Sequence, residues 1–135
     1  MKVFVSYAQE DRKIAQQLVG SIESAGAEVL SMRDTKEGAD LTSKLSKELR
    51  DSDEMIVLLS NKSLDSQWLT FEVGVAAGMG KPITIVSWGA KPDIPFDLRG
   101  YRYITYSNLD TYVQNLKERV SAKIKAGRFH SIKNK

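Results

Sequence analysis

The sequence predicts an α/β domain built on a parallel sheet with helices on both faces. Two observations carry this. Short apolar runs alternate with amphipathic stretches along the whole chain, and such alternation implies βαβ units rather than separate helical and strand regions. The run Met55-Ile56-Val57-Leu58-Leu59 is apolar without interruption, as expected of a central parallel strand buried on both faces.

The elements follow in order. Val3-Phe4-Val5-Ser6-Tyr7 reads as the first strand, and Asp11 offers a capping side chain to a helix reaching about Ala25. Within it Ile14, Ala15, Leu18, Val19 and Ile22 recur at helical spacing, and Gly26 ends it. Glu28 to Met32 forms a second strand, a polar loop runs from Arg33 to Asp40, and Leu41, Leu45 and Leu49 mark one face of a second helix. After the central strand, Ser60 to Gln67 makes a polar loop and a third helix spans about Ser66 to Gly78. Gly80-Lys81-Pro82 precedes a fourth strand, Ile83 to Val86. Pro92, Pro95 and Gly100 fall in an irregular connection, Tyr101 to Tyr106 gives a fifth strand, and Leu109, Tyr112, Val113, Leu116, Val120 and Ile124 define a last amphipathic helix. Five βα units in this pattern require right-handed crossovers.

Composition narrows the function classes. The 135 residues suffice for one domain with one core, and 41% apolar with 27% charged residues is ordinary for a soluble globular chain. No apolar run reaches the ~20 residues of a membrane span, and the start is too short and strand-like for a signal peptide. The expectation is a cytoplasmic protein with no membrane partner, a secreted effector being the alternative. The absence of cysteine removes thiolate metal sites and thiol nucleophiles, and the single histidine, His130, excludes a multi-histidine metal site. The net charge of +3 gathers near the end, at Lys123, Lys125, Arg128, Lys133 and Lys135. No aromatics are interleaved there, so a solvated helix end is expected and nucleic acid is not. We place the domain at residues 1–126 and a flexible basic tail at 127–135.

The pentapeptide Trp68-Leu69-Thr70-Phe71-Glu72 opens the third helix. Residues four apart share a helix face, so a flat ring and a carboxylate stand together near the carboxyl ends of the strands, where open α/β sheets bind ligands. That pairing suits cleavage at a sugar's anomeric carbon. Core packing explains Trp68 equally well, and a backbone-bonded glutamate is the plain alternative for Glu72.

Several of these segments together resemble a Toll/interleukin-1 receptor (TIR) domain. The opening box is similar to Val3-Phe4-Val5-Ser6-Tyr7, followed at matching spacing by Asp11, Leu18, Ile22 and Gly26. The loop carrying Asp34, Thr35, Lys36, Glu37, Gly38 and Ala39 resembles the family's BB loop, between the second strand and second helix. Leu58-Leu59-Ser60, then Ser66-Gln67-Trp68 and Glu72, resembles the approach to the third helix, and Gly80-Lys81-Pro82-Ile83 the entry to the fourth strand. The resemblance spans about residues 2–124. It implies a flavodoxin-like three-layer sandwich with a five-stranded parallel sheet in the order 2-1-3-4-5. Some members are scaffolds that act through homotypic TIR–TIR assembly, and others, many of them bacterial, cleave NAD⁺ at the nicotinamide–ribose bond using a glutamate on the third helix.

Glu72 occupies that position, so the resemblance implies an NAD⁺ glycohydrolase or cyclase, an enzyme with NAD⁺ as substrate and no cofactor or metal, acting in bacterial immune signalling. Trp68, Tyr7, Phe4, Ser6, Ser66, Lys36 and Gly38 are the expected substrate-binding residues, and residues 34–39 the expected assembly loop. Turn or capping roles compete for Ser6 and Ser66, and a core role for Tyr7. A regulatory partner or fused domain is a further expectation. Ala8 follows Tyr7 where some NAD-cleaving relatives carry arginine, and Ala39 and Asp40 follow Gly38 where a basic residue often stands. The alternatives are a non-enzymatic scaffold and, third, an enzyme similar to nucleoside 2-deoxyribosyltransferases, whose aspartate–glycine turn is missing. A phospho-receiver reading of Glu10-Asp11 fails because Ser60, not aspartate, ends the third strand.

Overall fold

The computed structural model describes residues 1–31, 41–63, 66–89 and 100–133. Five strands form one sheet: β1 (Lys2–Ser6), β2 (Glu28–Leu30), β3 (Glu54–Ser60), β4 (Ile83–Trp88) and β5 (Arg102–Thr105). Every pairing is parallel, as the alternation of elements implied, and the order is β2-β1-β3-β4-β5, as the resemblance implied. The described helices are α1 (Arg12–Ser24), α2 (Leu41–Asp51), α3 (Gln67–Gly78) and α4 (Leu109–Lys133). The residues expected as a BB loop, Asp34, Thr35, Lys36, Glu37, Gly38 and Ala39, lie outside the described residues, as do Met32 and the connection with Pro92 and Pro95.

Strand parity sorts the core into two layers. Val3, Val5, Ile56, Leu58 and Val86 point to one face and pack with Ile14, Leu18 and Ile22 of α1 and Leu109, Tyr112, Leu116 and Val120 of α4. Phe4, Met55, Val57, Leu59, Ile83 and Ile85 point to the other and pack with Leu45 and Leu49 of α2 and Val73 and Ala76 of α3. All seven residues of β3 are buried: the five of the unbroken apolar run, as predicted, and also the polar Glu54 and Ser60 at its ends. Each fully buried leucine or isoleucine stabilises the fold by about 1.5–3 kcal/mol relative to exposure.

Several details differ from expectation, two of them for evident physical reasons. A 3₁₀ turn, Gln9–Asp11, precedes α1, and Asp11 makes no side-chain capping bond to the helix. Its carboxylate is turned to Ser60 instead, described below. β4 runs on to Trp88 because its partner β3 continues to Ser60, the two residues sitting opposite each other in the register. Gly26 adopts φ +96°, and a Cβ there would meet Val120 Cγ1 at 3.1 Å. Both the turn after α1 and the close approach of α4 therefore require glycine. The helix α4 continues to Lys133, through most of the stretch read as a basic tail.

Candidate functional site

The carboxyl ends of the strands carry two separate polar clusters. The first holds the carboxylate that the sequence singled out. Ser66 lies just before α3 and accepts a hydrogen bond from Leu69 N–H at 3.2 Å. This cap sets the start of the helix and hence the face each residue presents. Leu69, Glu72, Val73 and Ala76 form the buried face. Glu72 is only 2% exposed, and Ser6 Oγ donates to its Oε1 at 3.1 Å. Ser6 ends β1 on the same parity as Phe4, so the α3 side of the sheet brings together two residues 66 positions apart.

The half-buried Trp68 packs against the α2–α3 core, and its ring lies 5.4 Å from that of Phe71, tilted by 36°. Phe71 is 42% exposed. The two rings form an aromatic surface on α3 one turn from the buried carboxylate. A carboxylate in such surroundings exerts a stronger field than one in water, because the local dielectric is low.

The other expected binding residues divide. Phe4 is fully buried in the α2–α3 core. It supports the sheet beneath the rim, on the same face as Ser6. Ser66 is occupied as the α3 cap. Tyr7 packs against the α1–α4 core, the opposite layer from Glu72. It lines a groove of about 820 Å³ with Gln9, Arg12, Gln16, Ser31 and Glu48. The structure thus joins Ser6 to Glu72, places Trp68 one turn earlier on α3 against the core that holds Phe4, and packs Tyr7 against the other core. Lys36 and Gly38 lie outside the described residues.

The sequence brought Asp11 and Ser60 together only in the rejected phospho-receiver reading, not as a hydrogen-bonded pair. At the carboxyl end of β3, Ser60 Oγ donates to the Asp11 carboxylate, 2.7 Å from Oδ2 and 2.9 Å from Oδ1. Ser60 Oγ also accepts from Lys62 N–H at 3.1 Å, and Ser60 N–H donates to Ser63 Oγ at 2.8 Å. Asp11 and Ser60 border a cleft of about 370 Å³ whose walls include Lys13, Lys62 and Trp88. This is the crevice between β1 and β3, where the strand order reverses. A polar residue closing an otherwise apolar buried strand was the signal available for Ser60.

The model of the TIR domain family matches residues 3–120. The chain belongs to the TIR family. Among solved structures, the TIR domain of a Toll-related receptor from Hydra magnipapillata superposes with a TM-score of 0.66 at 21% identity, covering 90% of this chain and 94% of that one. A metazoan TIR-STING receptor from C. gigas also gives 0.66, at 25% identity over 84% of this TIR chain and 39% of its own. A CMP N-glycosidase from Clostridium botulinum gives 0.63 at 24% identity, covering 86% and 98%. No curated protein sequence matches. Among the described residues no helix is long and apolar enough to cross a membrane.

Proposed function

We propose that this TIR domain cleaves NAD⁺ at the nicotinamide–ribose bond, with Glu72 as the catalytic carboxylate. The observation that carries the reading is the Glu72–Ser6 pair: a carboxylate 2% exposed, oriented by a hydroxyl at 3.1 Å, beside the aromatic surface of Trp68 and Phe71. Nicotinamide in NAD⁺ is a cationic pyridinium. When the C1′–N bond breaks, its electron pair stays with nicotinamide, which leaves neutral and needs no general acid. The positive charge passes to the ribose, as in glycoside hydrolysis. A fixed carboxylate stabilises that oxocarbenium-like ribose more than it stabilises the ground state. Water then attacks C1′ to give ADP-ribose, or the adenine of the same molecule attacks to give a cyclic isomer. Immune signalling in a bacterial cytoplasm is the setting in which we place this reaction, with self-association through the BB loop.

The second reading is a non-enzymatic scaffold. The burial of Glu72 favours it, since a buried, hydrogen-bonded glutamate also serves packing, and the exposed Phe71 offers an apolar contact to another chain. A transfer of nucleobases between deoxyriboses is the third.

Nicotinamide release from NAD⁺ by concentrated protein, compared with Glu72→Ala, separates them. We expect release by the wild type and a loss of about 100–1000-fold in the variant, the usual cost of removing one preorganised charged group. Equal release in both variants would discard Glu72 as the centre. No release from folded wild type would favour the scaffold, and nucleobase exchange without nicotinamide release would favour the transferase.

A further inference from the structure

The residues lining the Asp11–Ser60 cleft are distinct from the Glu72–Ser6 pair and its aromatic surface. Its floor is a carboxylate 5% exposed, and among the described residues the donor to that carboxylate is the single hydroxyl of Ser60. A buried carboxylate has room for about four donors. The Ser60 hydroxyl is itself fixed by Lys62 N–H, so Asp11 is held rigid with acceptor capacity left toward the cleft it lines. On the wall stands Trp88, 41% exposed although its β4 neighbours are buried. Tyr106 meets it edge-on at 5.1 Å and 75°, which steadies the indole. Lys13 and Lys62 supply positive charge, and Glu10 on the same wall limits where an anion can sit.

We propose that the cleft at the β1–β3 strand-order switch is a second ligand site of this chain, for a nucleoside 5′-monophosphate: the base stacks on Trp88, the ribose hydroxyls donate to Asp11, and Lys13 and Lys62 hold the phosphate. Each feature selects one part of the ligand. A flat exposed indole accepts any base through its π-face. A buried carboxylate with spare lone pairs takes paired hydroxyls, as acidic residues do at the ribose of bound dinucleotides. The volume of about 370 Å³ lies at the low end of small-molecule sites, which fits a mononucleotide and excludes burying a whole dinucleotide. The position is the crevice outside the strand ends that open α/β sheets use for ligands.

The test is calorimetric titration of adenosine 5′-monophosphate, with ribose 5-phosphate as the base-free control. The proteins are the wild type, Trp88→Ala, Asp11→Asn and Glu72→Ala. Trp88 is exposed and Asp11→Asn preserves an acceptor for Ser60, so both variants are expected to fold. We expect Glu72→Ala to bind like wild type, and Trp88→Ala to bind the monophosphate about 5- to 100-fold more weakly, as loss of one base stack implies. Ribose 5-phosphate should bind weakly and equally to wild type and Trp88→Ala, and Asp11→Asn should weaken both ligands. NAD⁺ titrated into Glu72→Ala distinguishes a free mononucleotide from the adenylate end of a dinucleotide, and supports the site only if Trp88→Ala weakens that binding too. No binding of the monophosphate at about 1 mM, equal affinity in Trp88→Ala, or loss of binding in Glu72→Ala would each overturn the proposal. The last would assign the nucleotide to the Glu72 site and leave the NAD⁺ reading standing.

Discussion

At the residue scale the functional question turns on the hydrogen bond from Ser6 to Glu72 and on the charge it orients. Ser6 Oγ sits 3.1 Å from Glu72 Oε1, and both side chains are buried. If Glu72 serves only packing, Glu72→Gln is nearly neutral in every assay, because glutamine keeps the size and still accepts from Ser6. If the charge stabilises a developing cation, the same variant keeps its melting temperature while nicotinamide release falls about 100–1000-fold. Ser6→Ala separates orientation from charge. A hydrogen bond to a charged group is worth about 1.5–3 kcal/mol, so we expect release to fall about 10–100-fold with the carboxylate still present. Undiminished release in Ser6→Ala would mean that the hydroxyl only fills space. Comparing the three variants by melting temperature and steady-state release decides between the roles.

At the element scale, α4 is tied to the sheet by a polar cluster beneath the strands. Tyr112 OH donates to Glu54 Oε1, and Arg119 pairs with the same carboxylate through both Nη1 and Nη2. Glu54 is buried at the start of β3, so Arg119→Ala strands a buried charge. A fully buried pair broken this way costs about 3–5 kcal/mol. The Arg119 side chain is 35% exposed, so solvent softens the loss, and we expect about 2–3 kcal/mol by chemical denaturation. Burial, and then the bond to Glu54, raise the Tyr112 hydroxyl above its ordinary 10.0. Its folded pKa exceeds the unfolded one, so the stabilisation is complete below pH ~10 and is lost as pH climbs toward the folded value. Denaturation of Tyr112→Phe above pH ~10 should show less of this decline than wild type. None of this cluster was legible in the sequence, whereas the apolar face of α4 was. Periodicity reports contacts within one element, while Glu54 meets Tyr112 and Arg119 across 58 and 65 positions. The same limit hid the hydrogen bond between Asp11 and Ser60, residues 49 positions apart that met in the sequence only through the rejected phospho-receiver reading, and made Asp11 look like a helix cap. The alternation of apolar runs and amphipathic stretches did reveal the parallel sheet, and the spacing of Trp68 and Glu72 did place ring and carboxylate on one helix.

At the scale of the whole molecule, the fold presents its candidate carboxylate in a closed state. Glu72 is 2% exposed, and a ribose reaches it only when the groups covering it move. Turnover is then scaled by the fraction of molecules in the open arrangement. Anything that binds the open form better than the closed one raises that fraction by mass action, and a second copy of the chain qualifies if assembly fits only the open form. The half-buried Trp68 and exposed Phe71 provide apolar surface on α3 near the carboxylate, so contact there couples assembly to the site. The isolated domain is therefore expected to turn over slowly when dilute, with nicotinamide release per molecule rising as protein concentration rises. Phe71→Glu, which places a charge on that exposed surface, should flatten the rise in rate with concentration. A wild-type rate per molecule that stays constant across concentrations, while light scattering shows the chain assembling, would uncouple assembly from the opening of the site and assign the aromatic surface to another role.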